Sequence, residues 1–180
     1  MNDKTVIEGL SVSQILSDEL GSLRAAIINN IRATGEWASG KTAASMQVFV
    51  TDTSGELVGR RAFGTLETGR KPGRVPRNMA DIIYEWMKAK GIHGEPMPYV
   101  RKGPHKYGSA QERGDRTMAA NIAYAIRERG TVLHQRYQKG ERVDVYSTAI
   151  PATIARVNTR LTGIFHAAIT EQIKLNLKEA

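Results

Sequence analysis

The chain of 180 residues has no cysteine, few aromatics (6%) and four histidines. The missing thiols exclude a disulfide framework and any thiolate metal site. The histidines at 93, 105, 134 and 166 show no ligand spacing and read as core or surface imidazoles, with His166 beside an apolar helical face. No run approaches the ~18 apolar residues needed to span a bilayer. The opening Met1-Asn2-Asp3-Lys4 lacks a signal-peptide pattern, so the expectation is a soluble chain made in a cytoplasm, with no membrane partner. No Ser/His/Asp arrangement can be argued from residue order, and no pair of carboxylates stands in a glycine-rich or apolar setting. The chain is therefore expected not to be an enzyme, with no catalytic residue, cofactor or metal. Internal repeats and low-complexity tracts are also missing.

What is present is positive charge, and its placement matters more than its size. The chain has 26 Lys+Arg against 18 Asp+Glu, a net charge of +8. Between Arg60 and Lys106 eleven Lys/Arg face four Asp/Glu, so +7 falls in about a quarter of the sequence. The centre of this segment is Phe63-Gly64-Thr65-Leu66-Glu67-Thr68-Gly69-Arg70-Lys71-Pro72-Gly73-Arg74-Val75-Pro76-Arg77. It reads as a strand running out into an exposed basic loop, 64–77, ahead of a helix. Such a loop attracts phosphates through a salt-sensitive contact, or it is a solvated loop of a basic protein.

Periodicity outlines an α+β fold. Residues 1–10 have no period and are expected to be a flexible arm, followed by a single domain over 11–180. Ser11 and Gln14 have capping-box spacing, and Val12, Ile15, Leu16, Leu20, Leu23, Ile27 and Ile31 then mark an amphipathic helix ending near Thr34-Gly35. Ser45–Val50 and Glu56–Arg60 flank the turn-rich Asp52-Thr53-Ser54-Gly55 and predict a β-hairpin. Arg61 to Leu66 either continues the second strand or bends at Gly64, which could mark a bulge. Behind Pro76, residues Met79, Ile82, Ile83, Trp86 and Met87 share one helical face up to Gly91. A second long loop spans 91–114, and a helix follows from Asp115 to Arg129-Gly130. Arg142–Ser147 alternates like a strand that could join the hairpin. From Pro151, well placed in a first turn, a long closing helix carries Ile154, Val157, Leu161, Ile164, Phe165, Ala168 and Ile173. The long apolar faces of the first and last helices read as intramolecular core or as subunit seams.

Two further segments carry possible chemistry. Gly35-Glu36-Trp37-Ala38-Ser39-Gly40-Lys41-Thr42 satisfies the phosphate-loop pattern letter for letter. A nucleotide site needs a buried strand before such a loop and a helix after it, whereas here a helix precedes and a strand soon follows. P-loop nucleotide binding is therefore the remote alternative. Pro98–Tyr107 interleaves tyrosines with Arg101, Lys102 and Lys106, a composition that suits stacking and phosphate contact or an ordinary loop pinned by tyrosines.

The N-terminal helix, the turn Gly40-Lys41-Thr42-Ala43-Ala44-Ser45-Met46 into a strand, and the hairpin ending in Leu66-Glu67-Thr68-Gly69 form a recognisable order. Over residues 11–77 the chain resembles the neck or tail-completion proteins of long-tailed double-stranded DNA phages. That resemblance implies a small α+β virion subunit, assembled in the host cytoplasm into a homo-oligomeric ring at the head–tail joint, around the DNA channel. Its implied partners are further copies of itself, portal or adaptor and tail-tube proteins, and double-stranded DNA passing without sequence readout. It places Glu67 and Gly69 at a strand end near a subunit contact and assigns no catalytic residue. Arg70, Lys71, Arg74 and Arg77 are then the DNA-proximal cations, with Arg101, Lys102 and Lys106 behind them. A tail terminator subunit and a non-catalytic nucleic-acid-binding module remain as alternatives.

Overall fold

A computed structural model describes residues 11–98 and 108–179. The expected arm at 1–10, and Arg101, Lys102 and Lys106 of the second loop, lie outside the described residues. The architecture is mixed α+β and mostly helical, with a two-stranded antiparallel sheet. The chain divides into two compact units where composition shows one domain. One unit takes the chain up to Gly35, Lys41–Phe63 and Asp144 onward; the other takes Glu36–Gly40 and Gly64–Val143. Composition is blind to this division because the first unit is closed by two helices far apart in sequence.

In the first unit, α1 spans Val12–Ala33. Its first turn is capped by Ser11 Oγ, which accepts from the Gln14 amide at 3.1 Å. Thr34 closes the helix, and Gly35 leaves it at φ +75°. Ile15, Leu23, Ile27 and Ile31 are buried, and Glu19 lies buried in the same row. The turn after Gly40 is a short helix, α2, Lys41–Ala44. Strands β1 (Gln47–Val50) and β2 (Gly55–Val58) pair in the register Gln47↔Val58 to Val50↔Gly55. Their turn is closed by the Thr51 amide donating to the Ser54 carbonyl at 2.8 Å. The hairpin lies on α1, where Arg24 Nε donates to the Met46 carbonyl at 2.9 Å and a Cβ on Gly55 would come within 2.6 Å of Leu20.

Two strand expectations are corrected. The second strand ends at Val58, and Arg61–Thr65 winds into a 3-10 helix that includes Gly64, so there is no bulge. Arg142–Ser147 adds no strand to the sheet. Its alternation serves one anchor instead. Val145 is fully buried and its carbonyl accepts from Asn30 Nδ2 at 3.0 Å, while the Tyr146 ring packs 5.0 Å from Phe63.

The closing helix, here numbered last, runs Ala149–Glu179 and begins two residues before Pro151. It lies antiparallel to α1: Asn30 holds Val145 just ahead of it, and Glu19 takes Arg156 Nε at 2.8 Å and Arg160 Nη1 at 3.0 Å. Paired hydrogen bonds from Arg156, then from Arg160, hold the Glu19 carboxyl below the usual glutamate range against the opposing pull of burial.

The second unit is built on three helices, α3 (Met79–Lys90), α4 (Ala110–Arg129) and α5 (Val132–Gln138). Its core is Ile83 and Met87 from α3 against Ala119, Ala123 and Ile126 from α4. Alanines at the crossing let the backbones approach closely. The apolar face of α3 is narrower than expected, because Ile82 and Trp86 remain exposed. α4 starts at Ala110 rather than Asp115, since Ser109 Oγ accepts from the Glu112 amide at 3.0 Å and caps it early. The long loop is shortened accordingly. Its entry strand of chain is bound to α4: the Gly94 amide donates to Asp115 Oδ1 at 2.7 Å, and Gln111 Nε2 donates to the same oxygen at 2.8 Å. The Gln111 amide first, then the Gly94 N–H, hold the Asp115 carboxyl low, with His93 adding to them. Here α4 carries Gly114, where a Cβ would strike the Glu95 carbonyl. α5 was not expected at all; α6 is the closing helix Ala149–Glu179 already described.

Candidate polyanion-binding surface

The basic loop is fixed, and its backbone does the fixing. The Arg70 amide donates to Thr131 Oγ1 at 3.0 Å, and the Thr131 amide donates back to the Arg70 carbonyl at 2.9 Å. The Gly73 amide donates to the Arg127 carbonyl at 2.8 Å, and His134 Nδ1 lies 3.3 Å from the Thr68 carbonyl. Gly69 has φ +66°, and a Cβ there would run into the His134 backbone nitrogen and Thr131 Oγ1. Thr131 thus caps α5, where its Oγ1 also accepts from the His134 amide at 3.2 Å, and anchors the loop with the same atom. A segment of this kind is held to its neighbours through its main chain and leaves its exposed side chains uncommitted.

The expected site residues separate on this frame. Glu67 and Gly69 are both buried beyond the 3-10 helix, not at the end of β2, so the strand-end placement is corrected. The buried Gly69 is spent on packing against α5. Among the four loop cations, Arg70 is half-buried and its Nη2 donates to the Arg74 carbonyl at 2.8 Å, pinning the loop's own curve. Lys71, Arg74 and Arg77 are exposed. The loop is therefore one internal brace and three outward charges.

Lys71 and Pro72 border an open groove of about 800 Å³ whose other wall is Arg129, His134, Gln135, Gln138 and Lys139. Among the described residues, no carboxylate lines it. The neighbouring arginines differ: Arg127 pairs with Glu128 at 2.9 Å and Arg136 with Glu141 at 2.7 Å. Lys71, Arg129 and Lys139 thus supply positive charge that no carboxylate in the groove wall offsets, and Gln135 and Gln138 add amide donors. Sequence reading missed Arg129, His134 and Lys139. They lie some sixty residues from Lys71, and the only local signal was the Gly130-Thr131 break that lets α4 turn into α5.

The other candidates do not assemble a chemistry. On α3 and α4, a groove of about 460 Å³ has Asp81, Arg113 and Arg116 in its wall, with Asp81 Oδ1 2.6 Å from Arg116 Nη1 and the Arg116 guanidinium 4.0 Å over the Tyr84 ring. One carboxylate faces two guanidiniums there, and Arg113 Nη2 donates to the Met97 carbonyl at 2.9 Å. The Gly35–Thr42 segment follows α1 rather than a strand and leads into a four-residue helix, so the phosphate-loop arrangement is not formed. Among the described residues no group of three or more His, Asp or Glu could hold a metal ion, and no helix is long and apolar enough to cross a membrane. Compared with protein families, curated proteins and solved structures, the chain matches none.

Proposed function

We propose that this chain is a structural subunit of a long-tailed double-stranded DNA phage, a ring-forming neck or tail-completion protein whose second unit faces the passing DNA. The observation that carries the DNA-facing part is the backbone-anchored loop 69–73, which sets Lys71 beside Arg129 and Lys139 on a groove without carboxylates. Contacts of this kind are made to phosphates and carry no sequence information. They suit a duplex that must slide past rather than be read, because each contact is exchanged for another as the helix advances. The virion assignment itself rests on the resemblance across residues 11–77, and the α+β fold supports it.

Duplex DNA of two unrelated sequences, titrated against the purified chain at several salt concentrations, tests the surface. The expected result is equal affinity for both sequences and a log–log salt slope that falls by about 0.9 for each phosphate contact removed. Lys71→Ala, Arg129→Ala and Lys139→Ala together should weaken binding by roughly 100-fold at low salt while the fold is retained. Unchanged binding removes the groove from the reading. In the particle, normal infectivity and DNA retention after alanine replacement of Lys71, Arg74 and Arg77 would remove the channel role. DNA binding that persists in a subunit never incorporated into particles favours the free nucleic-acid-binding module instead.

A further inference from the structure

One feature of the first unit is used by neither core. Of the fourteen large hydrophobic side chains left exposed in the described residues, seven belong to α6, and five of those lie between Phe165 and Leu177. The proximal half of α6 is committed to α1 through buried Thr153, half-buried Val157, Leu161 and Ile164, and the Glu19 ion pairs. Past Ile164 the exposed apolar residues change face. Phe165, Ile169, Ile173 and Leu177 recur every fourth residue, each step rotating about 40° around the helix. Glu171 and Lys178 fall on the far side and Lys174 on one flank, and Gln172 Nε2 donates to Asn176 Oδ1 at 3.2 Å on the other flank.

We infer that this stripe is a self-association surface, and that its occupant is the same stripe of a second copy. A row of residues four apart is the ridge that packs into its own kind, with two helices crossing at about −50°. Charge points to the same occupant. The distal segment has Glu171 and Glu179 against Lys174 and Lys178, so it is electrically balanced in a chain of net charge +8. Two copies can meet there without one net charge facing another of the same sign. Covering the four side chains of the stripe removes on the order of 400 Å² from each copy, short of the ~800 Å² per partner of a stable standard interface. The pairing is accordingly reversible, closed and two-fold. It goes beyond the neck reading, because a ring requires a different, head-to-tail contact.

Sedimentation equilibrium of the full chain without DNA, from about 5 to 500 μM, tests it. The mass should rise from 19.8 kDa toward twice that value over this range and change little with salt. Ile169→Asp with Ile173→Asp, both at exposed positions, should raise the dissociation constant at least 100-fold with an unchanged helical spectrum. A monomer throughout, or a dimer indifferent to the double change, overturns the inference. Since the chain has no native cysteine, Gln172→Cys on the flank and Glu171→Cys opposite the stripe provide a second reading in otherwise unaltered folds. Oxidation should cross-link the former into dimers and spare the latter, and equal cross-linking overturns the proposed face. DNA affinity is not involved in any of these outcomes, so they stand or fall apart from the channel role.

Discussion

The unit built on α3, α4 and α5 contains sixteen Lys/Arg and nine Asp/Glu, a net +7, whereas the unit built on α1, the hairpin and α6 contains ten against nine, a net +1. They differ in what they leave outside rather than in whether they bury carboxylates. The basic unit packs an apolar core of Ile83, Met87, Ala119, Ala123 and Ile126, buries the carboxylates Glu67 and Asp115, and turns Lys71, Arg74 and Arg77 outward. The near-neutral unit buries one carboxylate, Glu19, in the apolar row of α1, where Arg156 and Arg160 bind it, and leaves an apolar stripe outside. An outward cation costs little and weakens with salt, whereas a buried carboxylate is costly unless its partners stay in place. The units thus present different surfaces, cations on one and an apolar stripe on the other.

The largest effect expected from breaking this contrast is at Gly69. Gly69→Val places side-chain atoms against the His134 backbone at a positive φ, and should destabilise the basic unit by about 3–4 kcal/mol. Hydrogen exchange should show α5 and the loop opening while α1 stays protected, and equal loosening of both would erase the distinction between units.

Next is Glu19→Gln, which leaves two arginines facing an amide. The cost should be about 2 kcal/mol, below the 3–5 of a fully buried pair because the guanidinium of Arg156 is half-exposed. Acid should act in the same direction. Glu19 is held below its ordinary value when folded, so its stabilisation is complete above the unfolded pKa of about 4.3 and disappears as pH falls through the lower, folded one. Thermal melting from pH 6 to pH 3 should lose this acid-dependent part in Glu19→Gln. Asp115 is shifted in the same direction, so Asp115→Asn should flatten the acid response of the basic unit alone. Crossed effects between the two variants would show that the units do not respond separately.

Thr131→Ala removes one oxygen that caps α5 and accepts from Arg70, at an expected cost of about 1–2 kcal/mol. Ser11→Ala, the corresponding cap of the other unit, is more exposed and should cost about 0.5–1 kcal/mol. A larger loss at Ser11 than at Thr131 would reverse the ordering.

Elements announced by local chemistry were legible in the sequence. The Ser11 cap and the Gly35 exit bound α1, the turn between Thr51 and Ser54 registers the hairpin, and Gly91 and Gly130 end α3 and α4. What depended on distant partners was not. α5 has seven residues and no full apolar period, and its start is set by Thr131, which the loop at Arg70 engages. Val145 read as a strand residue because it lies in an alternating run, but its burial goes with the Asn30 hydrogen bond to its carbonyl. The basic loop was visible as composition, and the groove was not, since no local pattern joins Lys71 to Arg129 and Lys139.

Among the described residues, the bonds that fix the loop between Thr68 and Gly73 to α4, α5 and the Thr131 cap are made, on the loop's side, by main-chain atoms. The identities of the outward side chains are therefore uncoupled from the loop's position. Lys71 and Arg74 can be replaced, lengthened or reversed in sign without moving the platform that displays them, provided Gly69 is kept. The surface is in that sense a socket, able to change what it attracts over evolutionary or laboratory time while the fold beneath it remains the same.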